Sequence, residues 1–269
     1  MRFISYGGGV QSTAMIVLAA QGKIPGVDAA LYSNVGDDSE LPATNHYVRN
    51  IMQPWAAEQG ISVIELRRTL RTGETQTLWQ RIMDYEGDKL REPIPVYGWS
   101  GAPMSRSCTA DHKIKVLGKH IKSMAPKETW PVDVLIGISV DEIERAGRGK
   151  NEPWENRCYP LLDLGLRRSD CVNVIQDAGL PVPPKSSCFF CPFHSIQVWS
   201  EMRRDEPELF DKCVQLETTL NARRDARGMQ RVYLTRKGKP IQEAIAEAGP
   251  TLFDGVFNEG GCDEGYCWV

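Results

Sequence analysis

Nothing in the 269 residues approaches the run of about eighteen apolar side chains that a membrane-crossing helix requires, so no membrane span is expected. A signal peptide is not expected either, because Arg2-Phe3-Ile4 reads at once as a strand, and a cytoplasmic location follows as the expectation. The chain has no internal repeat and no low-complexity tract, which excludes solenoids and disordered spacers. Strong charge is also missing: a formal net charge of −3 argues against indiscriminate polyanion binding while leaving room for local basic faces. Neither a Walker Gly-Lys-Ser/Thr loop nor a dinucleotide GxGxxG fingerprint is present.

What is there is ordinary in bulk. A 41% hydrophobic and 25% charged composition suits a soluble globule, long enough for one large α/β domain with appendages or two small domains. Basic residues cluster at Arg67, Arg68 and Arg71, at Lys113, Lys115, Lys119 and Lys122, and at Arg223, Arg224 and Arg227. Each cluster reads as a solvated helix face or as a nucleic-acid groove.

Strand signals at 2–5, 29–32, 62–65 and 132–136 alternate with helical patterns at 13–21, 43–59 and 113–123. That alternation predicts a mainly parallel sheet flanked by helices, with ligands at the carboxyl ends of the strands. The pattern breaks at about 69–106 into a polar, aromatic stretch with Trp79, Tyr85, Tyr97 and Trp99, read as an insertion forming a lid or as structural packing. Helices are expected over 196–204 and 207–227, then a short hairpin around 232–241. The expected division is an α/β domain over 1–195 and a helical C-terminal region with a cysteine-bearing tail over 196–269.

Two motifs carry chemistry. Ile4-Ser5-Tyr6-Gly7-Gly8-Gly9-Val10-Gln11-Ser12-Thr13 joins a strand to an apolar helix. A helix N-terminus presents unpaired N–H groups and partial positive charge, glycines let a ligand approach the backbone, and Ser12 and Thr13 add hydroxyls, so the run suits phosphate. An ordinary glycine-rich turn is the alternative. Cys188-Phe189-Phe190-Cys191-Pro192 places two thiols in one tight turn, a spacing suited to a metal centre. Eight cysteines in a chain expected in the cytoplasm read as metal or redox ligands rather than a disulfide scaffold, with Cys171 and Cys213 as core residues and Cys158 as a small hydrophobe or a further ligand.

The glycine run resembles the phosphate loop of the PP-loop superfamily of adenine-nucleotide enzymes, with Ser12 at the closing serine and Gln11 where aspartate is usual, a variant similar to the phosphoadenosine phosphosulfate (PAPS) reductase branch. Leu31-Tyr32-Ser33-Asn34-Val35-Gly36-Asp37-Asp38 with Glu40-Leu41-Pro42-Ala43-Thr44 and His46-Tyr47-Val48 resembles the family's second strand, nucleotide-contacting turn and next helix. The run from Ile136 to Arg145 resembles its Gly-x-Arg-x-x-Glu-Ser-x-x-Arg segment, and Cys158-Tyr159-Pro160-Leu161-Leu162-Asp163 its Tyr-Pro-Leu-x-Asp-Trp motif. Ser105 to Lys115 resembles the Cys-Cys-x-x-x-Lys segment of cluster-bearing reductases, with Thr109 replacing one cysteine.

The resemblance implies a PP-loop, adenine nucleotide alpha hydrolase-like fold covering roughly residues 1–195, and an enzyme coupling ATP or a related adenylate to sulfur transfer. Ser5, Gly7, Gly8, Gly9, Gln11, Ser12, Thr13, Asn34, Gly137 and Glu142 would contact the nucleotide. Lys113, Arg145 and Arg106 would neutralise phosphate or sulfate charge, with surface cations as the alternative. Asp141 and Glu142 would hold magnesium, or Glu142 and Arg145 would form an i,i+3 pair. Cys108 would join Cys188 and Cys191 around an iron–sulfur (4Fe-4S) cluster, the rival being a structural zinc closed by His194 or another cysteine. Cys262 and Cys267 in the glycine-hinged tail would carry sulfur or serve in packing or ligation. A sulfur or electron donor is implied as partner, a nucleic-acid acceptor and a homodimer stay open, and the rival activities are reduction of a sulfonucleotide to sulfite and nucleotide binding without turnover.

Overall fold

The computed structural model describes residues 1–85, 91–104, 106–147 and 152–247. In chain order the elements are β1 (Arg2–Tyr6), α1 (Val10–Ala20), β2 (Ala29–Ser33), α2 (Pro42–Tyr47), α3 (Gln53–Glu58), β3 (Ser62–Leu66), α4 (Leu78–Met83), α5 (Lys115–Met124), β4 (Val132–Ile136), β5 (Glu155–Cys158), α6 (Pro160–Asp163), α7 (Arg168–Asp177), α8 (Ile196–Asp205), α9 (Pro207–Asp225) and α10 (Ile241–Ala246). Among the described residues they form two compact units: Met1–Thr77 with Thr109–Ser187, and Leu78–Cys108 with Cys188–Glu247.

The first unit is α/β, with a five-stranded, all-parallel sheet in the order β3-β2-β1-β4-β5. Side chains alternate between its two faces, as the pleat requires. Ile4, Tyr6, Ala30, Tyr32 and Leu135 pack with α1 and with Cys171 and Ile175 of α7. Phe3, Ala29, Leu31, Val134 and Ile136 pack with Leu117 and Ile121 of α5. Helix α1 is apolar through Ala14–Leu18 and buried along that run, and it ends where Gly22 takes φ +72°.

Two local departures from the expected elements have physical causes. The helix expected over 43–59 is interrupted by a π-turn at Val48–Met52, in which the Gln53 amide reaches back to the Val48 carbonyl just before Pro54, a residue with no amide to give. Strand β5 has no counterpart in the sequence reading, because Glu155-Asn156-Arg157-Cys158 lacks an apolar alternation; its pairing with β4 makes it a strand.

The second unit is mainly helical, from α4, α8, α9 and α10. The expected hairpin around 232–241 is replaced by a different arrangement. Tyr233 bridges Tyr97, and the buried Glu217 carboxylate of α9 accepts from the Leu234 and Ile241 amides at 2.8 and 2.9 Å. With those amides committed to a side chain, cross-strand partners are not needed. Among the described residues no helix is long and apolar enough to cross a membrane.

Candidate functional site

In the first unit β2 and β3 lie to one side of β1, and β4 and β5 to the other, so the chain reverses its progress across the sheet between β1 and β4. Open parallel sheets bind ligands outside the carboxyl ends of the strands at such a switch point. The glycine loop leaves β1 there, and Gly137 follows β4 there.

The loop is built from main chain. Gly8 takes φ +79°, a conformation that side-chain-bearing residues rarely adopt, and a Cβ on it would sit 2.9 Å from Thr44 Cγ2. Ser12 Oγ accepts from the Gly7 amide at 3.2 Å and donates to the Gly9 carbonyl at 3.2 Å, while Ser186 Oγ donates to the Gly7 carbonyl. Gly9 is the N-cap of α1, and no side chain caps that end. The first helical amides there have no intrahelical acceptor, as at any helix start. Gly137 lets β4 approach closely: a Cβ on it would lie 3.1 Å from the Ser12 nitrogen. Ser5 is half-buried within β1, in register with Leu31 and Ile136. Thr13 is fully buried with its hydroxyl on the Tyr6 phenol, so its place is in the core beneath the loop.

Behind the loop, buried Gln11 donates to Glu142 at 3.2 Å and accepts from Arg168 at 3.1 Å. Glu142 pairs with buried Arg145 at 2.6 Å, which is the i,i+3 pair considered against magnesium ligation. Asp141 accepts from Arg167 and from the Arg168 amide. Arg168 and Ser186 are the residues at this loop that the sequence reading missed, and neither carries a local motif.

After β2, Asn34 is buried and its side chain closes a turn: it accepts from the Gly36 amide at 2.7 Å and donates to Asp37 and Glu65 at 2.9 and 2.8 Å. Arg49 and Arg67 bind the same two carboxylates. Burial pushes the Asp37 carboxyl upward, but hydrogen bonds from Arg67, Arg49 and Asn34 prevail and bring it down to about 2. Glu65 is also lowered, chiefly by its bond from Arg49. Glu40 lies in the opposite regime: it is 1% exposed, its carboxylate oxygens have no hydrogen-bond partner among the described residues, and Lys113 Nζ stands 3.9 Å away. Burial raises its carboxyl against the attraction of Lys113. The hydroxyls of Ser139 and Ser187 are likewise buried without a partner among the described residues.

The three cysteines expected at a metal centre all belong to the second unit. Cys188 and Cys191 are buried in one turn, closed by the Cys191 amide on the Cys188 carbonyl at 3.1 Å and the His194 amide on the Cys191 carbonyl at 3.0 Å. The His194 Nε2 contacts the Cys188 carbonyl at 3.0 Å. Phe189 and Phe190 between the thiols meet edge to face at 4.8 Å, and Trp79 lies 5.6 Å from each. Packing is therefore what Trp79 does within its unit. Arg106, expected as a site cation, lies over the Phe193 ring at 5.7 Å. The half-buried Cys108 donates its amide to the Pro93 carbonyl at 2.7 Å. Among the described residues no three His, Cys, Asp or Glu side chains are arranged to hold a metal ion, so the described geometry does not supply the three-thiolate set.

The remaining thiols are sheltered. Cys171 and Cys213 are fully buried, and burial pushes both up, Cys171 to about 12. Burial also raises Cys158 at the end of β5. Thiols so placed are poor nucleophiles. Cys262 and Cys267 lie outside the described residues. Comparison of the chain with protein-family models and with curated proteins found no match.

Proposed function

We propose that the first unit binds an adenine nucleotide, ATP or a related adenylate, with its phosphates on the main-chain amides of the Gly7–Ser12 loop, and that the protein couples this binding to sulfur transfer as a PP-loop enzyme. The observation that carries the reading is the uncapped N-terminus of α1 at the sheet's switch point, with Gly137 keeping a side chain off the Ser12 nitrogen. Glu40, Ser139 and Ser187 support it, since their buried polar atoms have no hydrogen-bond partner among the described residues and a polar ligand would satisfy such atoms. In this reading the loop amides bind phosphate, Gln11 and Arg168 hold the start of α1 in place, and Arg145, through Glu142, fixes Gln11. Sulfur chemistry rests on the resemblance and on the paired thiols Cys188 and Cys191.

Equilibrium binding of ATP, AMP and PAPS to the full chain tests the first part. Affinity for one of them that Gly137→Ala lowers is the expected result, and no affinity for any of them overturns the reading. Product analysis tests the second part: AMP and pyrophosphate from ATP support acceptor activation before sulfur transfer, whereas sulfite from PAPS or adenylylsulfate with a thiol donor makes the protein a sulfonucleotide reductase. Iron, zinc and sulfide analysis of anaerobically purified protein tests the cluster.

A further inference from the structure

The first unit contains a cleft of about 420 Å³ between the end of β3 and helix α5. Helix α5 packs on the sheet face opposite that of α1, so this cleft opens on the other face from the helix that follows the glycine loop. Its lining brings together two basic clusters some fifty positions apart in sequence: Arg67 and Arg68 from the β3 end, and Lys115 and Lys119 from α5, with His120 beside them and Asp111 as the one carboxylate. Four cations against one carboxylate line it, an excess of positive side chains in a chain whose net charge is −3.

The lining residues are committed to different degrees. Arg67 binds Asp37 and Glu65, Arg68 donates to Gln76 at 2.8 Å, and Lys115 pairs with Asp111 at 2.6 Å. Lys119 is exposed and no carboxylate pairs with it among the described residues, while the buried His120 Nε2 has no hydrogen-bond partner among them. Lys115, Lys119 and Lys122 follow one another at i, i+4 and i+7 and so line one side of α5 over about 10 Å. The Lys122 ammonium sits 5.1 Å from the Trp154 ring centroid, which holds the end of that row in place. A positive concavity continued by a row of lysines fits a chain of phosphates better than a single one.

We propose that this cleft and the α5 lysine row bind the phosphodiester backbone of single-stranded nucleic acid. The contacts are to phosphate, so binding is tolerant of sequence and sensitive to salt. The proposal does not rest on nucleotide binding at the glycine loop, and its test uses neither ATP nor turnover.

The test is fluorescence anisotropy of a labelled single strand of about ten nucleotides titrated with the full chain across about 50–200 mM salt. The expected result is saturable binding whose logarithm falls with the logarithm of salt at a slope of about −2 to −3, as for three or four phosphates neutralised on a single strand. The K115E/K119E double variant, changed at two exposed positions, should weaken binding about tenfold or more and flatten that slope, with the thermal midpoint retained. Three results would each overturn the proposal: no binding at the lowest salt, binding that the retained fold of the double variant leaves unchanged, or competition by a mononucleotide as effective as by the strand.

Discussion

The two units hold their candidate chemistry by different means. In the first, the site is main chain: three glycines, an uncapped helix start and the close approach of Gly137. In the second, side chains do the holding: Glu217 binds the Leu234 and Ile241 amides, buried Arg224 pairs with buried Glu92 at 2.6 Å, and Trp79, Phe189 and Phe190 pack around the Cys188–Cys191 turn. A main-chain site depends on backbone angles and on space, so adding a methyl group damages it. A side-chain site depends on partners distant in sequence, so removing an atom damages it.

That contrast can be broken by substitution. The largest effect is expected in the second unit. Glu92→Ala leaves the Arg224 guanidinium buried without its counter-charge and should cost about 3–5 kcal/mol, read from urea unfolding. A cost well under this would mean that water reaches the pair. Next, Gly8→Val in the first unit forces a β-branched residue to φ +79° against Thr44 and Val48, with an expected cost of about 2–3 kcal/mol and loss of nucleotide affinity. If Gly8→Val binds nucleotide as the parent does, the loop is an ordinary turn. A smaller change is expected from Gly137→Ala, whose methyl would press on the start of α1; about 1 kcal/mol of stability and a larger fractional loss of affinity would separate binding from folding.

The smallest effect concerns the Asp37 network, which tests whether exposed side chains contribute to the main-chain site. The folded-state pKa of Asp37 lies below that of an unfolded aspartate, so its contribution is complete above about pH 4 and is lost as the pH falls through about 2. The side chain is about half exposed, and solvent screening keeps the contribution small. The thermal midpoint of Asp37→Asn should therefore fall slightly below the parent's at pH 5, and the two should converge near pH 2. A gap that persists at the acid end would assign the effect to lost hydrogen-bond geometry instead of charge.

Much of the first unit was legible because its signals are local. The strands β1 to β4 announce themselves as short apolar runs, α1 as an apolar stretch between glycines, and the loop as a glycine-rich strand-to-helix junction. The second unit was less legible. The segment around 232–241 resembles a hairpin until Glu217, one helix earlier, takes its amides. Trp79 could be a lid or a packing residue until Phe189 and Phe190 are beside it. Cys108 has a ligand's spacing by resemblance, yet spacing along the chain does not make a coordination geometry.

The sequence by itself determined an alternating α/β chain and a glycine-rich loop between strand and helix, since both follow from residue period and backbone freedom within a few positions. Only the tertiary structure decided that β4 lies beside β1 and so creates the switch point, that polar Glu155–Cys158 becomes a strand, that Arg168 braces Gln11, and that two basic clusters share one cleft. These are contacts between residues tens to more than a hundred positions apart. They are selected by burial and charge pairing in the assembled fold, and no local pattern in the chain encodes them.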